Sequence, residues 1–175
     1  MTCEQEFNFE ISPELAKATQ AVNRIKITFE AKGVEAQKIV EEEFRNLVKL
    51  YESSDSAVRA KVITGVSALP IARQLLVKAI QTDSSELNRH EAAFGLGLTE
   101  AKEFVPVLIE FGVNDVDPTV RHESVIALGT IGDASALPAI EELLYFETIY
   151  GVNSIVIKSC KIAIADIKCK VLTKF

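Results

Sequence analysis

The chain repeats itself at an offset of 32 residues. Residues 89–110 and 121–142 both begin with Arg-His-Glu and share a Leu-Gly pair, a proline and a glutamate at matching positions. Segments 58–63 and 156–164 fit the same frame, so we count about four repeats. A period in the thirties with apolar residues at helical spacing is typical of an α-helical solenoid, in which each helix pair stacks on its neighbours. The repeat therefore predicts an all-α fold.

Helix boundary signals agree with this frame. Asp117-Pro118 predicts the start of one repeat helix, and Ser84 or Ser85 is expected to cap its equivalent one repeat earlier. Phe94 and Ile126 occupy equivalent apolar positions and are expected in the core. Further helix starts or ends are expected at Pro106, Gly132 and Pro138.

The N-terminal third differs from the repeats. Residues 1–52 predict two amphipathic helices, the first starting at Ser12-Pro13 and the second following Lys32-Gly33. We favour a cap on the exposed end of a repeat stack spanning residues 53–175, because a solenoid needs one, with a dimer interface as the alternative. The acidic run Glu41–Glu43 is expected to face solvent.

Composition narrows the classes of partner. The 175 residues carry a net charge of -6, and no Lys/Arg cluster is interleaved with aromatic residues, so a nucleic-acid partner is not expected. No apolar stretch approaches the ~20 residues that cross a bilayer, and residues 1–6 lack the features of a secretory signal. Cys3, Cys160 and Cys169 read as reduced thiols, so we expect a cytoplasmic protein.

The two histidines of the chain are the best lead to function. Each is followed by a carboxylate, as His90-Glu91 and His122-Glu123, at the same position of neighbouring repeats. Equivalent helices pack ~8–10 Å apart, so both imidazoles could reach one ion at ~2 Å. Two histidines with carboxylate are the ligands of non-haem Fe(II) sites. The alternative is structural, with histidine bonding backbone and glutamate favouring the helix dipole; two pairs in register favour the metal site.

These motifs resemble a known family. The pattern x-R/K-H-E-x-x-x-x-L-G, repeated after one repeat length and followed by Ile131-Gly132-Asp133, looks like deoxyhypusine hydroxylase. That family consists of α-helical repeats related to HEAT and bilin-lyase-type repeats, and the resemblance covers residues 54–167. It implies a HEAT-like α-α superhelical solenoid.

The resemblance also implies a metal centre. The family's enzyme contains two such halves in one chain, with four His-Glu pairs around a di-iron centre, and it hydroxylates a modified lysine on a translation factor. By resemblance, His90, Glu91, His122 and Glu123 are the Fe(II) ligands of one half-site. This chain has one half, which leaves three arrangements: a C2 homodimer that reconstitutes four pairs, a single ion in one chain, or an inherited site on a binding scaffold.

Two functions remain open from the sequence. The first is a non-haem iron monooxygenase acting as a homodimer on a lysine-derived side chain of a protein substrate, and the sequence leans towards it. The second is a non-catalytic adaptor or chaperone, with bilin-lyase-like or metal-cluster assembly roles, that binds a protein partner on the concave face of the solenoid.

Overall fold

The computed structural model describes residues 11–30, 34–151 and 153–173, and within these ranges every regular element is helical. This confirms the predicted all-α repeat fold. The α-helices of the described ranges are α1 (Pro13–Glu30), α2 (Val34–Leu50), α3 (Ser56–Val66), α4 (Arg73–Thr82), α5 (Glu86–Leu98), α6 (Val105–Asn114), α7 (Pro118–Ile131), α8 (Leu137–Tyr150) and α9 (Ser154–Leu172). Short 3-10 turns precede α4, α6 and α8.

The chain divides into two compact units, residues 1–62 and 63–175, and α3 runs across the boundary. In the first unit α1 packs against α2, and Ser12 begins α1 as predicted, since its Oγ accepts from the Leu15 N–H at 3.1 Å. The expectation that Glu41–Glu43 faces solvent is wrong at Glu43, which is buried and pairs with Arg24 at 2.7 Å. The assignment of residues 1–52 as a cap stays a prediction.

In the second unit, α5, α7 and α9 lie side by side. Helix α4 packs against α5, α6 against α7, and α8 against α9. The large side chains that this packing removes from water are aliphatic: Ile63, Leu76, Ile80, Leu96, Leu108, Leu128, Ile140 and Ile167. Burial of this continuous aliphatic core stabilises the stack and holds α5 and α7, which carry the two His-Glu pairs, in a common register.

Most predicted helix boundaries are confirmed. The Asp117 side chain accepts from the Thr119 N–H at 2.8 Å at the start of α7, and the prolines at 106 and 138 lie in the first turns of α6 and α8. Gly132 ends α7 in the left-handed conformation, with φ 72°. Ser85 is the residue before α5, but its side chain makes no capping bond; Asp83 accepts from the Ser85 N–H instead.

The repeated glycines explain how closely α5, α7 and α9 approach. A methyl group at Gly97 would lie 2.8 Å from the Cβ and 3.0 Å from the Cα of Ala127, and one at Gly129 would lie 2.9 Å from the Cα of Ala163. These distances are shorter than carbon–carbon van der Waals contact. The glycine of each Leu-Gly pair is therefore required by helix packing.

Replacing Gly97 with alanine is expected to lower the free energy of unfolding by about 1–3 kcal/mol, because backbone of α7 must move to admit the methyl group. Urea denaturation measures this. Gly112→Ala is the matched control, since its nearest neighbour is a side-chain methyl of Val125 at 3.3 Å and the helix gains up to about 1 kcal/mol of propensity. Equal costs at Gly97 and Gly112 would contradict the close approach as the reason for the Leu-Gly repeat.

The structure also gives the exposure of the apolar residues and cysteines named above. Phe94 is 44% exposed, so its assignment to the core is wrong, while Ile126 is partly buried. Cys160 is buried and Cys169 exposed on α9, and burial raises the pKa of the Cys160 thiol to about 11; Cys3 lies outside the described residues.

Across the described ranges, we find no helix with the length and apolar character that a bilayer crossing requires.

Candidate metal centre

The two His-Glu pairs occupy the same position on α5 and α7, which are equivalent helices of neighbouring repeats. His90 and His122 are the fifth residues of α5 and α7, and each glutamate follows directly. Both imidazoles are 27% exposed. The equal helix positions arise because each helix starts four residues before its histidine, and the direct packing of α5 on α7 then brings the pairs together.

Glu123 is the residue at which the two pairs meet. One carboxylate oxygen, Oε2, lies 3.4 Å from Nε2 of His90 and 3.8 Å from Nε2 of His122. The Glu123 side chain is the least exposed of the four, at 12%. A half-buried carboxylate between two imidazoles concentrates negative charge where two nitrogen donors converge, which is the electrostatic arrangement of a cation site.

Glu91 joins this group through His90 alone. Its Oε1 lies 3.6 Å from Nδ1 of His90, and the structure gives it no contact with His122 or Glu123. At that distance Nδ1 of His90 is buried without a hydrogen-bond partner. Three of the four predicted residues therefore meet at Glu123, and the fourth, Glu91, contacts only His90.

The pKa of His90 is raised above its ordinary value of 6.5, chiefly because Glu123 accepts a hydrogen bond from the charged ring, while burial opposes the shift. Since the folded pKa lies above the unfolded one, this contact stabilises the fold at pH below the ordinary value. The stabilisation disappears as the pH rises through the folded pKa. Below that pH the proton holds His90 and Glu123 together.

Replacing Glu123 with glutamine is expected to lower the pKa of His90, because the largest cause of the shift is removed. Proton NMR titration of the metal-free protein reads this pKa directly. Glu91→Gln is the matched control and should lower it less, since Glu91 contributes less to the shift than Glu123 does. An unchanged His90 titration in Glu123→Gln would show that the Glu123 contact is not made in solution.

A fifth residue of the cluster has no role in the sequence predictions. Ser159 of α9 lies with its Oγ 2.5 Å from Nδ1 of His122. It occupies, in the last repeat, the register position held by Glu91 and Glu123 in the two before it. The register of the repeat was therefore a signal that could have found it, although a serine there does not by itself suggest contact with histidine.

The side chains can be tested against the iron that the family resemblance implies. Two imidazoles and two carboxylates form a suitable donor set for iron, and the unpartnered Nδ1 of His90 is an unsatisfied polar atom within that set. Within the ranges that the structure describes, however, no group of three or more His, Cys, Asp or Glu side chains is drawn together tightly enough to count as a formed metal site. The donor chemistry of the four side chains nevertheless fits iron.

The repeat architecture is consistent with the protein family that the sequence matches. Residues 73–148 match the family model described as HEAT repeats. The matched range contains α4 to α7 and most of α8, and so includes both His-Glu pairs.

Three curated relatives carry the same name. The chain is 32% identical to deoxyhypusine hydroxylase of Schizosaccharomyces pombe over 141 residues, which is 77% of this chain and 42% of that protein. It is 38% identical to deoxyhypusine hydroxylase-B of Oryza sativa over 55% of this chain and 30% of the relative, and 37% identical to deoxyhypusine hydroxylase of Arabidopsis thaliana over 57% and 30%. The chain thus spans less than half the length of these relatives. On its repeat fold and these identities, the chain is a HEAT-repeat protein similar to deoxyhypusine hydroxylase.

Proposed function

We propose that this protein binds iron through His90, Glu91, His122 and Glu123 and acts as a non-haem iron monooxygenase on a lysine-derived side chain of a protein substrate. The observation that carries the proposal is the position of Glu123, whose Oε2 contacts the Nε2 atoms of both histidines. The names of the relatives, all deoxyhypusine hydroxylases, supply the reaction class.

The side chains of the cluster would provide different kinds of ligand. His90 and His122 offer neutral nitrogen donors and the glutamates offer charged oxygen donors, and the iron when bound would supply the redox chemistry with O₂. The Glu123 contact raises the pKa of His90, and because a ligand imidazole must be neutral, metal binding has to release any proton that His90 carries. The net charge of -6 favours approach of a cationic side chain such as a lysine derivative.

The proposal includes a homodimer. One chain carries two His-Glu pairs and matches under half of each relative, whereas the family resemblance implies four pairs around two metal ions. A C2 interface places the same patch of both copies face to face, so two facing pairs from each chain would make four. Each protomer would then contribute one half-site to a shared di-iron centre.

The test is to purify the protein without denaturant, add Fe(II) under anaerobic conditions, and measure iron per chain together with mass by light scattering. About one iron per chain in a particle of twice the chain mass is the expected result. Substrate peptides bearing a lysine-derived side chain would then be screened for hydroxylation by mass spectrometry. A monomer that stays free of iron would overturn the proposal.

A second candidate is a protein-binding adaptor without catalysis. The observation in its favour is the exposure of apolar residues on the two outer helices of the α5–α7–α9 row, where Phe94, Leu98 and Ile162 are each about half exposed. The adaptor predicts capture of a partner that is unaffected by His90→Ala and His122→Ala. Cytoplasmic location and the lack of a nucleic-acid partner stay predictions under either function.

A further inference from the structure

Ser159 contacts His122 in a way that decides which ring nitrogen carries the hydrogen. The serine Oγ lies 2.5 Å from Nδ1 of His122 and 2.8 Å from the backbone carbonyl oxygen of Ile155. A hydroxyl has one hydrogen to donate, and a carbonyl oxygen can only accept. Both contacts are satisfied together only if Ser159 donates to Ile155 and accepts from the Nδ1–H of His122.

The position of this hydrogen also determines whether the other ring nitrogen, Nε2, can bind a metal ion. With its hydrogen on Nδ1, the neutral His122 ring has its lone pair on Nε2, the atom that faces Glu123 at 3.8 Å. A metal ion binds the nitrogen that carries the lone pair. The alternative tautomer would place a hydrogen on the nitrogen that faces the cluster, where it would block a ligand bond.

Packing holds Ser159 in place. The residue is 1% exposed in the second turn of α9, and its bond to the carbonyl one turn earlier restricts the hydroxyl. One turn further along α9, Ala163 meets Gly129 of α7 so closely that a methyl group at Gly129 would lie 2.9 Å from the Ala163 Cα. The distance between α7 and α9 is therefore set by backbone contact, and the Ser159–His122 bond spans a gap of fixed width.

His90 has no such support. Its Nδ1 is buried without a hydrogen-bond partner, and Glu91 Oε1 lies 3.6 Å from it. The two histidines, equivalent in sequence, thus differ in their contacts: Nδ1 of His122 has a buried hydroxyl as partner, and Nδ1 of His90 has no hydrogen-bond partner.

We propose that Ser159 is a positioning residue that holds His122 in the Nδ1–H tautomer and so presents its Nε2 lone pair to the candidate centre. The inference rests on the proposed function in one respect, that His122 is a metal ligand. Histidine ligands commonly donate their second N–H to a fixed acceptor, and loss of that acceptor typically lowers metal affinity by about 10–100-fold.

The test uses Co²⁺ as an optical probe and compares the full chain with Ser159→Ala. Titration followed by visible absorption should give an affinity that is weaker by about 10–100-fold in Ser159→Ala. Ser124→Ala is the matched control: Ser124 is also fully buried, lies on α7 next to Glu123, and its Oγ has no hydrogen-bond partner. Its Co²⁺ affinity should equal that of the unmodified protein.

A second measurement reads the tautomer without any metal. Long-range ¹H–¹⁵N NMR spectra, recorded where the ring is neutral, distinguish a protonated Nδ1 from a protonated Nε2. The unmodified protein and Ser124→Ala should show His122 with the hydrogen on Nδ1, and Ser159→Ala should show the Nε2–H form. If His122 has the same tautomer in Ser159→Ala as in the unmodified protein, the inference is wrong.

The two proposals fail in different ways. Unchanged Co²⁺ affinity in Ser159→Ala, together with its loss when both histidines are replaced, would overturn the role of Ser159 and leave the metal site standing. Co²⁺ binding that is indifferent to both histidines would overturn the proposed function, and with it the ligand role of His122. The NMR spectra would then still confirm or refute the tautomer assignment.

Discussion

Replacing His90 and His122 together with alanine is expected to abolish stoichiometric iron binding while leaving the helical fold intact. Both nitrogen donors of the cluster are removed, so the loss of affinity should exceed the roughly 10–100-fold that a supporting residue costs. The fold should survive because both rings are partly exposed and the buried aliphatic core of the second unit is unchanged. Anaerobic Fe(II) binding measures the first effect and circular dichroism the second.

The repeat offers a matched control at the same register position. Lys158 stands in the last repeat where His90 and His122 stand in the two before it, and it is exposed. Lys158→Ala should bind iron like the unmodified protein. Retention of one iron per chain in the double histidine variant would rule out these residues as the ligands. Among the carboxylates, Glu123→Gln should cost more affinity than Glu91→Gln, because only Glu123 contacts both rings.

Asp115→Ala is expected to destabilise the second unit by about 3–5 kcal/mol, because it leaves the charge of Arg89 partly buried without its partner. Arg89 donates to Asp115 twice, through Nε at 2.7 Å and Nη2 at 2.9 Å, and the two side chains are 13% and 3% exposed. A further Arg89 nitrogen donates to the carbonyl of Asp83 at 3.0 Å. Urea denaturation followed by circular dichroism gives the free energy of unfolding.

The control is an exposed ion pair of nearly the same sequence separation. Lys168 and Glu141 are 27 residues apart and meet at 3.0 Å, and both side chains are about half exposed. Because water screens such a pair, Glu141→Ala should cost only about 0–1 kcal/mol. A similar cost for Asp115→Ala and Glu141→Ala would mean that the Arg89–Asp115 bridge contributes no more than a surface contact.

The arginines of the two Arg-His-Glu triplets make contacts that the sequence pattern did not indicate. Arg121 repeats the behaviour of Arg89: it donates to the carbonyl of Asp115, six residues earlier, and pairs with Glu147, 26 residues later. The Arg-His-Glu triplets therefore combine two tasks, since their arginines join neighbouring repeats while both histidines and Glu123 meet at the candidate centre. In the sequence all three residues recur alike, and only their contacts separate these tasks.

Other differences between prediction and structure have the same origin. Phe94 has the apolar character of a core residue and a matching residue one repeat later, yet it is partly exposed. A repeated apolar residue identifies a helix face, but burial requires a neighbour that covers that face. Glu43 shows the converse, because its pairing with Arg24 allows a carboxylate to be buried.

The sequence by itself determined the all-α repeat fold, most helix boundaries and the common register of the His-Glu pairs. Helical periodicity, N-cap chemistry and proline act over a few residues, so they can be read from neighbouring positions. Only the tertiary structure decided that Glu123 contacts both histidines, that Glu91 contacts one, and that Ser159 supports His122. These contacts depend on the packing distances between helices and on the side-chain rotamers. Neither can be derived from the positions of the residues along the chain.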